Sequence, residues 1–216
     1  MHIPDGLISP LTYLPAAALA LPLWAVAVRR VAAQLDERII PRLAVLTALA
    51  FVLAAVMVPL PGGSSGHLLG VALLALSFGL WPAFLAYSLV LLLQALLFGA
   101  GGIATLPLNA LIMGFIGAAV AIGLHRALAR WHRPTAVIAA VWLSVLVSAT
   151  LMALVLGLQP LIAQDADGQP LFFPFGLQIT LPAILLPHLL LGLGEAVLTY
   201  LVLRARAPRQ PAEAMP

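Results

Sequence analysis

Five histidines carry most of the coordination chemistry open to this 216-residue chain: His2, His67, His125, His132 and His188. There is no cysteine, which excludes disulfides, iron–sulfur ligation and thiolate metal sites. His125 and His132 stand among Arg126, Arg130 and Arg133 and read as surface residues at the level of lipid headgroups. His2 and His67 differ, because each lies in a segment punctuated by Gly and Pro, residues 1–6 and 59–70. A histidine in second place can wrap one metal ion with three nitrogens: the α-amine of Met1, the peptide nitrogen of His2 and its imidazole Nδ1. Amine and amide close a five-membered chelate ring, and amide and imidazole close a six-membered one. The fourth corner of the plane stays open for another imidazole, which His67 can supply. Square-planar nitrogen coordination suits Ni(II) or Cu(II). Met1 is expected to be retained, since bacterial Met removal usually requires a small second residue. Spacing alone leaves the ordinary alternative open, that both are solvated loop histidines.

The rest of the composition says what must position those residues. Hydrophobic residues make up 63% of the chain and charged ones 8%, against roughly 45–50% and 25% in ordinary globular proteins. Mean hydropathy is +1.14. So few charges cannot cover a soluble surface, which excludes a cytosolic enzyme, a nucleic-acid binder and a disordered segment. The pI of about 10.2 rests on a net charge of only +3. No basic region precedes the first apolar stretch, and the first basic residue is Arg29, so the N-terminus is expected to be the mature one.

Apolar runs at 11–28, 43–60, 135–158 and 178–203 each approach the ~20 residues that a spanning helix needs. All ten basic residues are arginines, in three groups at 29–42, 126–133 and 204–209. The positive-inside rule places these groups in the cytoplasm, so the N-terminus and the loops at 61–67 and 159–176 face out. Residues 68–124 then start outside and end inside, and their length fits three crossings of roughly 19 residues. An inner turn near Trp81-Pro82 and an outer one at 99–102 would divide them. The expectation is an all-α polytopic membrane protein with seven transmembrane helices, N-terminus outside and C-terminus inside. Residues 1–206 form a single domain, with 1–10 as an outward metal-binding segment and 207–216 as a cytoplasmic tail. The helix at 68–80 is short, about 20 Å at 1.5 Å per residue, so the stretch before it is expected to dip into the membrane.

Other polar residues are candidates for supporting roles. Metal-bound histidines donate their second ring nitrogen to a nearby acceptor, and Asp5, Ser64, Ser65, Gln94 and Asn109 are placed to accept or simply to tie loops. Glu195 falls within an apolar span and needs a partner there. His188, seven residues earlier on the same face, is the expected one, mainly as a structural tie. Ala44/Ala48 and Ala50/Ala54 offer small-residue spacing for close helix approach.

The opening Met1-His2-Ile3-Pro4-Asp5-Gly6 resembles the start of the NikM/CbiM family, the nickel/cobalt substrate-capturing (S) components of energy-coupling factor transporters. The similarity extends through Gly63-Ser64-Ser65-Gly66-His67-Leu68-Leu69-Gly70 and Leu93-Gln94-Ala95-Leu96-Leu97-Phe98-Gly99-Ala100-Gly101-Gly102-Ile103. Asn109, Met113-Gly114 and Gly192-Leu193-Gly194-Glu195-Ala196 also fit. The resemblance implies seven helices and an outward N-terminus. It also implies Ni(II) or Co(II) as transported substrate, with no organic cofactor, held by the Met1 amine, the His2 amide and imidazole, and the His67 imidazole. One departure is Ala100, where many relatives carry Asp.

Partners implied by the resemblance are a transmembrane coupling protein and paired ATPase subunits in a bacterial cytoplasmic (inner) membrane. A small accessory membrane subunit is left open, and nucleic acid is not expected. The chain itself carries no Gly-rich phosphate loop followed by Lys. The expected role is therefore metal capture rather than enzymatic catalysis. Two other classes were weighed. An intramembrane metalloenzyme would want a second acid/base cluster or an HExxH pair, which the sequence lacks. A stand-alone secondary transporter would want inverted repeats, and none is apparent. Pro4-Asp5 and the 66–70 run look closer to the nickel-type branch than to the cobalt type.

Overall fold

The computed structural model describes residues 1–60, 64–130 and 132–206. Seven helices dominate them: α1 (Pro10–Ala32), α2 (Ile39–Ala55), α3 (Val71–Phe78), α4 (Leu80–Phe98), α5 (Leu106–Leu128), α6 (Arg133–Gly157) and α7 (Leu177–Arg206). Helix α1 starts where Ser9 accepts a hydrogen bond from the Leu11 N–H at 3.2 Å and Pro10 fills the first turn. Asp36 opens α2 in the same manner, its carboxylate accepting from the Arg38 and Ile39 N–H groups at 2.8 and 2.7 Å.

Five helices are long and apolar enough to cross a membrane: α1, α4, α5, α6 with the one-turn helix Gln159–Ile162 that extends it, and α7. Large apolar side chains such as Leu14, Leu19 and Leu190 project outward from them, as lipid-facing surfaces require. The molecule is a multi-pass membrane protein. Helix α2 is apolar but has only 17 residues.

Two expected spans are cut short. The run at 43–60 stays helical only to Ala55, and Val58–Leu60 then pairs antiparallel with Ser64–Gly66, Val58 opposite Gly66. The expected helix at 68–80 shrinks to the eight residues of α3, about 12 Å long. It cannot cross a bilayer and is instead a strut inside the fold, with Val71 to Ala75 all buried. Gly70 precedes it with φ 74°, and a Cβ there would stand 2.7 Å from the Ala50 Cβ, so α2 and the start of α3 meet through the glycine. Gly79, at φ 88°, reverses the chain into α4. This close contact also redefines the small-residue faces of α2. Ala50 and Ala54 are consumed inside the fold, whereas Ala44 and Ala48 line an open apolar groove of about 880 Å³ with Trp24, Phe51 and Leu89.

Helix α5 carries a π-helical stretch, Ala110–Ile116. Serines one turn apart on α6 hydrogen-bond its backbone, Ser148 to the Ile112 carbonyl at 3.4 Å and Ser144 to that of Gly117 at 2.8 Å. Such stretches recur at functional sites, and this one begins directly after Asn109.

The arginine-bearing ends of three helices gather at the α3–α4 turn. Arg30 lies over the Trp81 ring at 5.4 Å, and Arg206 donates to the Ser77 hydroxyl at 3.0 Å and covers Phe78. Arg42 shares a small pocket there with Gln34 and Arg206. The opposite end of α4, roughly 28 Å away, holds the loop at 99–102 and the chain's first residues.

Candidate metal centre

Those first residues are built into the core. Met1 and Ile3 are buried, with Ile8 behind them. The Asn109 amide grips both backbone groups of Ile3, accepting from its N–H at 3.1 Å and donating to its carbonyl at 3.1 Å. The Thr105 hydroxyl donates to the same carbonyl at 2.7 Å. The Asp5 carboxylate takes the N–H groups of Ile103 and Thr105 at 2.9 and 3.1 Å. A side chain on Gly102 would occupy the space of that carboxylate, and one on Gly101 would stand 3.4 Å from the His2 Cβ. Further along, the Leu7 carbonyl accepts from the Phe173 N–H, and the Ser9 N–H donates to Gln159 at 2.9 Å. Asn109 therefore holds the backbone of Ile3, and Asp5 the backbone of the loop at Ile103 and Thr105, rather than an imidazole. Thr105 and Gly102 belong to the same arrangement. The sequence reading passed over Thr105, which nothing in its local pattern distinguishes from an ordinary helix-start threonine.

The fold brings His2 and His67 together. The rings of His2 and His67 stack with centroids 4.3 Å apart and planes 19° from parallel. They are 3% and 1% exposed. His67 Nδ1 donates to the Leu68 carbonyl at 3.0 Å, which leaves its lone pair on Nε2. That nitrogen and both ring nitrogens of His2 are buried without a hydrogen-bond partner. Gln94 adjoins the His2 ring as a hydrogen-bonding neighbour that favours its protonated form, although neither of its amide atoms is aligned for a full hydrogen bond. Buried polar atoms are nearly always paired. Among the described residues the buried side-chain exceptions belong to His2, His67, Gln94, Tyr87 and His188. No three His, Cys, Asp or Glu side chains converge at metal-binding spacing among the described residues. A site formed partly from main-chain nitrogens is consistent with that. The side chains of Ser64 and Ser65 lie outside the described part of the structure.

Glu195 and His188 do not pair with each other. The Glu195 carboxylate accepts from the Leu69 and Gly70 N–H groups at 2.7 and 2.9 Å, clamping the segment just after His67 to α7. His188 Nδ1 instead bonds the Ile184 carbonyl at 2.6 Å, one turn back on its own helix. Seven-residue spacing put both on one face, but backbone donors from another element reached the carboxylate first. Two charge-assisted bonds supply what a buried carboxylate needs.

Burial sets the protonation of the site. Loss of water pushes the Met1 amine from 8.0 down to about 4. Desolvation, and next to it the terminal ammonium's charge, lowers His2 from 6.5 to about 3. The same two causes, with a contribution from His2, hold His67 well below the usual imidazole range. At neutral pH the amine and both rings are therefore neutral and carry their lone pairs.

A family model described as "Cobalt uptake substrate-specific transmembrane region" matches residues 2–213. The chain is 41% identical over 206 residues to a probable fused nickel transport protein LarMN of Lactiplantibacillus plantarum, covering 94% of this chain and 63% of that one. It is 36% identical to a fused nickel transport protein NikMN of Rhodobacter capsulatus, covering 92% and 59%. Against a cobalt transport protein CbiM of Acetohalobium arabaticum it is 34% identical over 156 residues, covering 70% and 59%. The chain thus spans about three-fifths of these relatives' length. A crystal structure of a truncated transition metal transporter superimposes with a TM-score of 0.90 at 38% identity, covering 94% of this chain and 97% of that one.

Two outcomes follow from the clamp and the buried amine. Glu195→Gln keeps the side chain's size but leaves one of the two N–H groups without an acceptor, at a cost of about 1–3 kcal/mol. Amide exchange at Leu69 and Gly70 should accelerate by roughly ten- to a hundredfold, while exchange in α6 is unchanged. For the amine and the imidazoles, the docked forms refuse protons that undocked forms accept below pH 8.0 and 6.5. Docking of the N-terminal segment therefore weakens as pH falls from about 8 toward about 4. The protection factor of the Ile3 amide, corrected for intrinsic exchange, should drop across that window and not above it.

Proposed function

The chain belongs to the family described as the cobalt uptake substrate-specific transmembrane region, and on that premise we propose that it captures Ni(II) or Co(II) at the Met1–His2–His67 site for ATP-driven uptake. The observation that carries the reading is the pair of stacked, buried histidines whose free ring nitrogens lie beside the chain's own terminal amine. Four nitrogens hold the ion: the Met1 amine, the His2 amide, His2 Nδ1 and His67 Nε2. The His67 nitrogen follows from its Nδ1 bond to Leu68, which leaves Nε2 as the donor. Ring lone pairs lie in the ring plane, so an ion cannot sit between stacked faces. Binding turns a ring edge-on, and the two imidazoles separate around the cargo.

Proton balance favours capture at neutral pH. The amine and imidazoles arrive already deprotonated, so only the His2 amide proton must leave as the metal enters. Nickel fits this donor set through the square-planar preference of its d⁸ ion, whereas Zn(II) prefers a tetrahedron. The names of the fused relatives support nickel as cargo, and the CbiM relatives support cobalt.

The role within a larger machine is that of an S component in an energy-coupling factor transporter. A transmembrane coupling protein and paired ATPase subunits would reorient it, together with any accessory membrane subunit. The exposed Ala44/Ala48 face along the apolar groove is available to such a partner. Residues 1–206 act as one membrane domain in a bacterial inner membrane, with residues 1–10, 61–67 and 159–176 outside and the arginine-bearing helix ends inside. The separation of the histidine site from the arginine cluster along α4 supports that orientation.

Purified protein loaded with nickel should contain a four-coordinate, diamagnetic, low-spin ion by magnetic susceptibility and X-ray absorption. One residue added ahead of Met1 should abolish binding while leaving insertion intact, and His67→Ala should do the same. A paramagnetic, oxygen-rich, six-coordinate nickel would refute the site. Orientation is tested separately by introducing cysteine into the cysteine-free chain. An impermeant thiol reagent applied to intact cells should label Gly168→Cys and spare Gln34→Cys; the reverse pattern would turn the protein over in the membrane.

A further inference from the structure

The arginine cluster and the apolar groove beside α2 are two parts of one cavity. At the arginine-bearing helix ends a pocket of about 290 Å³ is lined by Gln34, Arg42, Ser77 and Arg206. The groove of about 880 Å³ runs on from it between α2 and α4. Val31, Leu35 and Pro82 line both, so the two spaces adjoin through them.

Each part asks for a different chemistry. No Asp or Glu lines the smaller pocket, and Ser77 takes a single donor of the Arg206 fork, at 3.0 Å. Two guanidiniums on one pocket with no carboxylate between them attract an oxyanion, and the fork geometry suits phosphate. The groove asks for the opposite. Its side-chain donors are spent on its own walls: the Trp24 indole N–H on the Ser88 hydroxyl at 2.8 Å, that hydroxyl on the Phe84 carbonyl at 2.7 Å, and the Thr47 hydroxyl on the Leu43 carbonyl at 2.7 Å. Every other side chain lining it is apolar, so hydrocarbon is what fills it.

The length of the groove matches one leaflet. From Ile40 to Phe51 it follows α2 for roughly 16 Å, about half of a ~30 Å hydrocarbon core. The charged pocket adjoins its outer end, where a headgroup lies, and basic pockets between membrane helices take anionic headgroups. We propose that this composite cavity binds one anionic glycerophospholipid, with the phosphate on Arg42 and Arg206 and an acyl chain laid over Ala44 and Ala48. The assignment needs only a multi-pass membrane protein and is independent of the metal reading. It gives this face of α2 an occupant while no protein covers it, so a coupling partner that docks at Ala44 and Ala48 must displace the acyl chain.

The test titrates the full chain, purified in detergent and stripped of lipid, with phosphatidylglycerol and phosphatidylcholine of identical acyl chains, counting bound lipid by native mass spectrometry. One phosphatidylglycerol per chain should bind about tenfold or more tightly than phosphatidylcholine. Arg42→Gln combined with Arg206→Gln should remove that preference, whereas Arg133→Gln, which deletes a charge outside the pocket, should keep it. Ala48→Trp should fill the groove and weaken both lipids alike, and circular dichroism reports that each variant is folded. The unmutated chain supplies a second reading: phosphatidylglycerol with a diazirine in its acyl chain should label residues 40–51 and 82–93 above the other lipid-facing helices on irradiation. Equal affinity for the two lipids, a preference that survives in the folded double variant, or label spread evenly over all helices would each overturn the proposal, leaving the groove to bulk lipid or to a protein partner. Soluble glycerol phosphate binding as tightly as the lipid would also overturn it, reducing the site to the arginine pocket alone.

Discussion

The Asn109 amide holds Ile3 by both of its backbone groups, and Asp5 takes two N–H groups from the loop that leads to Asn109. A chain terminus ordinarily frays, because nothing offsets the entropy of fixing it. Here the first residues are held by side-chain bonds and by the burial of Met1 and Ile3 in the common core. The terminal amine consequently has one place to be. The chelation proposed for the amine and the adjoining amide would need that pre-organisation, since a mobile terminus would lose its ordering entropy on each binding event. Gly101 and Gly102 exist in this frame as the space the segment occupies.

Helix α7 extends the consequences of that docking across the molecule. Near its middle, Glu195 grips the backbone between His67 and α3. At its far end, Arg206 bonds Ser77 at the other end of α3. The eight-residue α3 is thus tied to α7 at both ends and runs buried between the histidine site and the arginine cluster. A helix too short to span the bilayer is well suited to this task, because it is surrounded by protein and its position reports on both ends. The alternating satisfied and unsatisfied groups along this line are also instructive. Asp5, Asn109 and Glu195 are saturated with backbone partners, whereas His2, His67, Gln94 and His188 keep bare atoms. The first set builds the frame, and the second holds the buried side-chain atoms that the described residues leave without a hydrogen bond.

Much of this was legible in the residues. Hydropathy and the grouping of ten arginines anticipate seven transmembrane helices; among the described residues five helices are long and apolar enough to cross, while α2 has 17 residues and α3 only eight. The chelating potential of Met1-His2 follows from covalent chemistry and needs no fold. Other expectations failed for identifiable reasons. Residues 56–60 are as apolar as the helix before them, yet they leave it, because Val56 turns extended and the strand finds a partner at Ser64–Gly66. The alanines of α2 looked interchangeable, but Gly70 presses on Ala50 and leaves only Ala44 and Ala48 on the outside. His188 and Glu195 share a face, as their spacing requires, but not a bond.

What the sequence determined by itself is therefore everything that depends on residue type and near neighbours. That includes a lipid solvent, the helical periods, the grouping of the arginines and the chelating potential of the Met1-His2 pair. Only the tertiary structure decided who meets whom. Ile3 finds Asn109 across 106 positions and Glu195 finds Leu69 across 126. The stacking of His2 on His67 likewise joins loops with no shared local pattern. The physical reason is that an amide or carboxylate in a low-dielectric interior must find a partner, while its own sequence says only that one is needed. Which partner is a property of packing, and packing belongs to the whole chain.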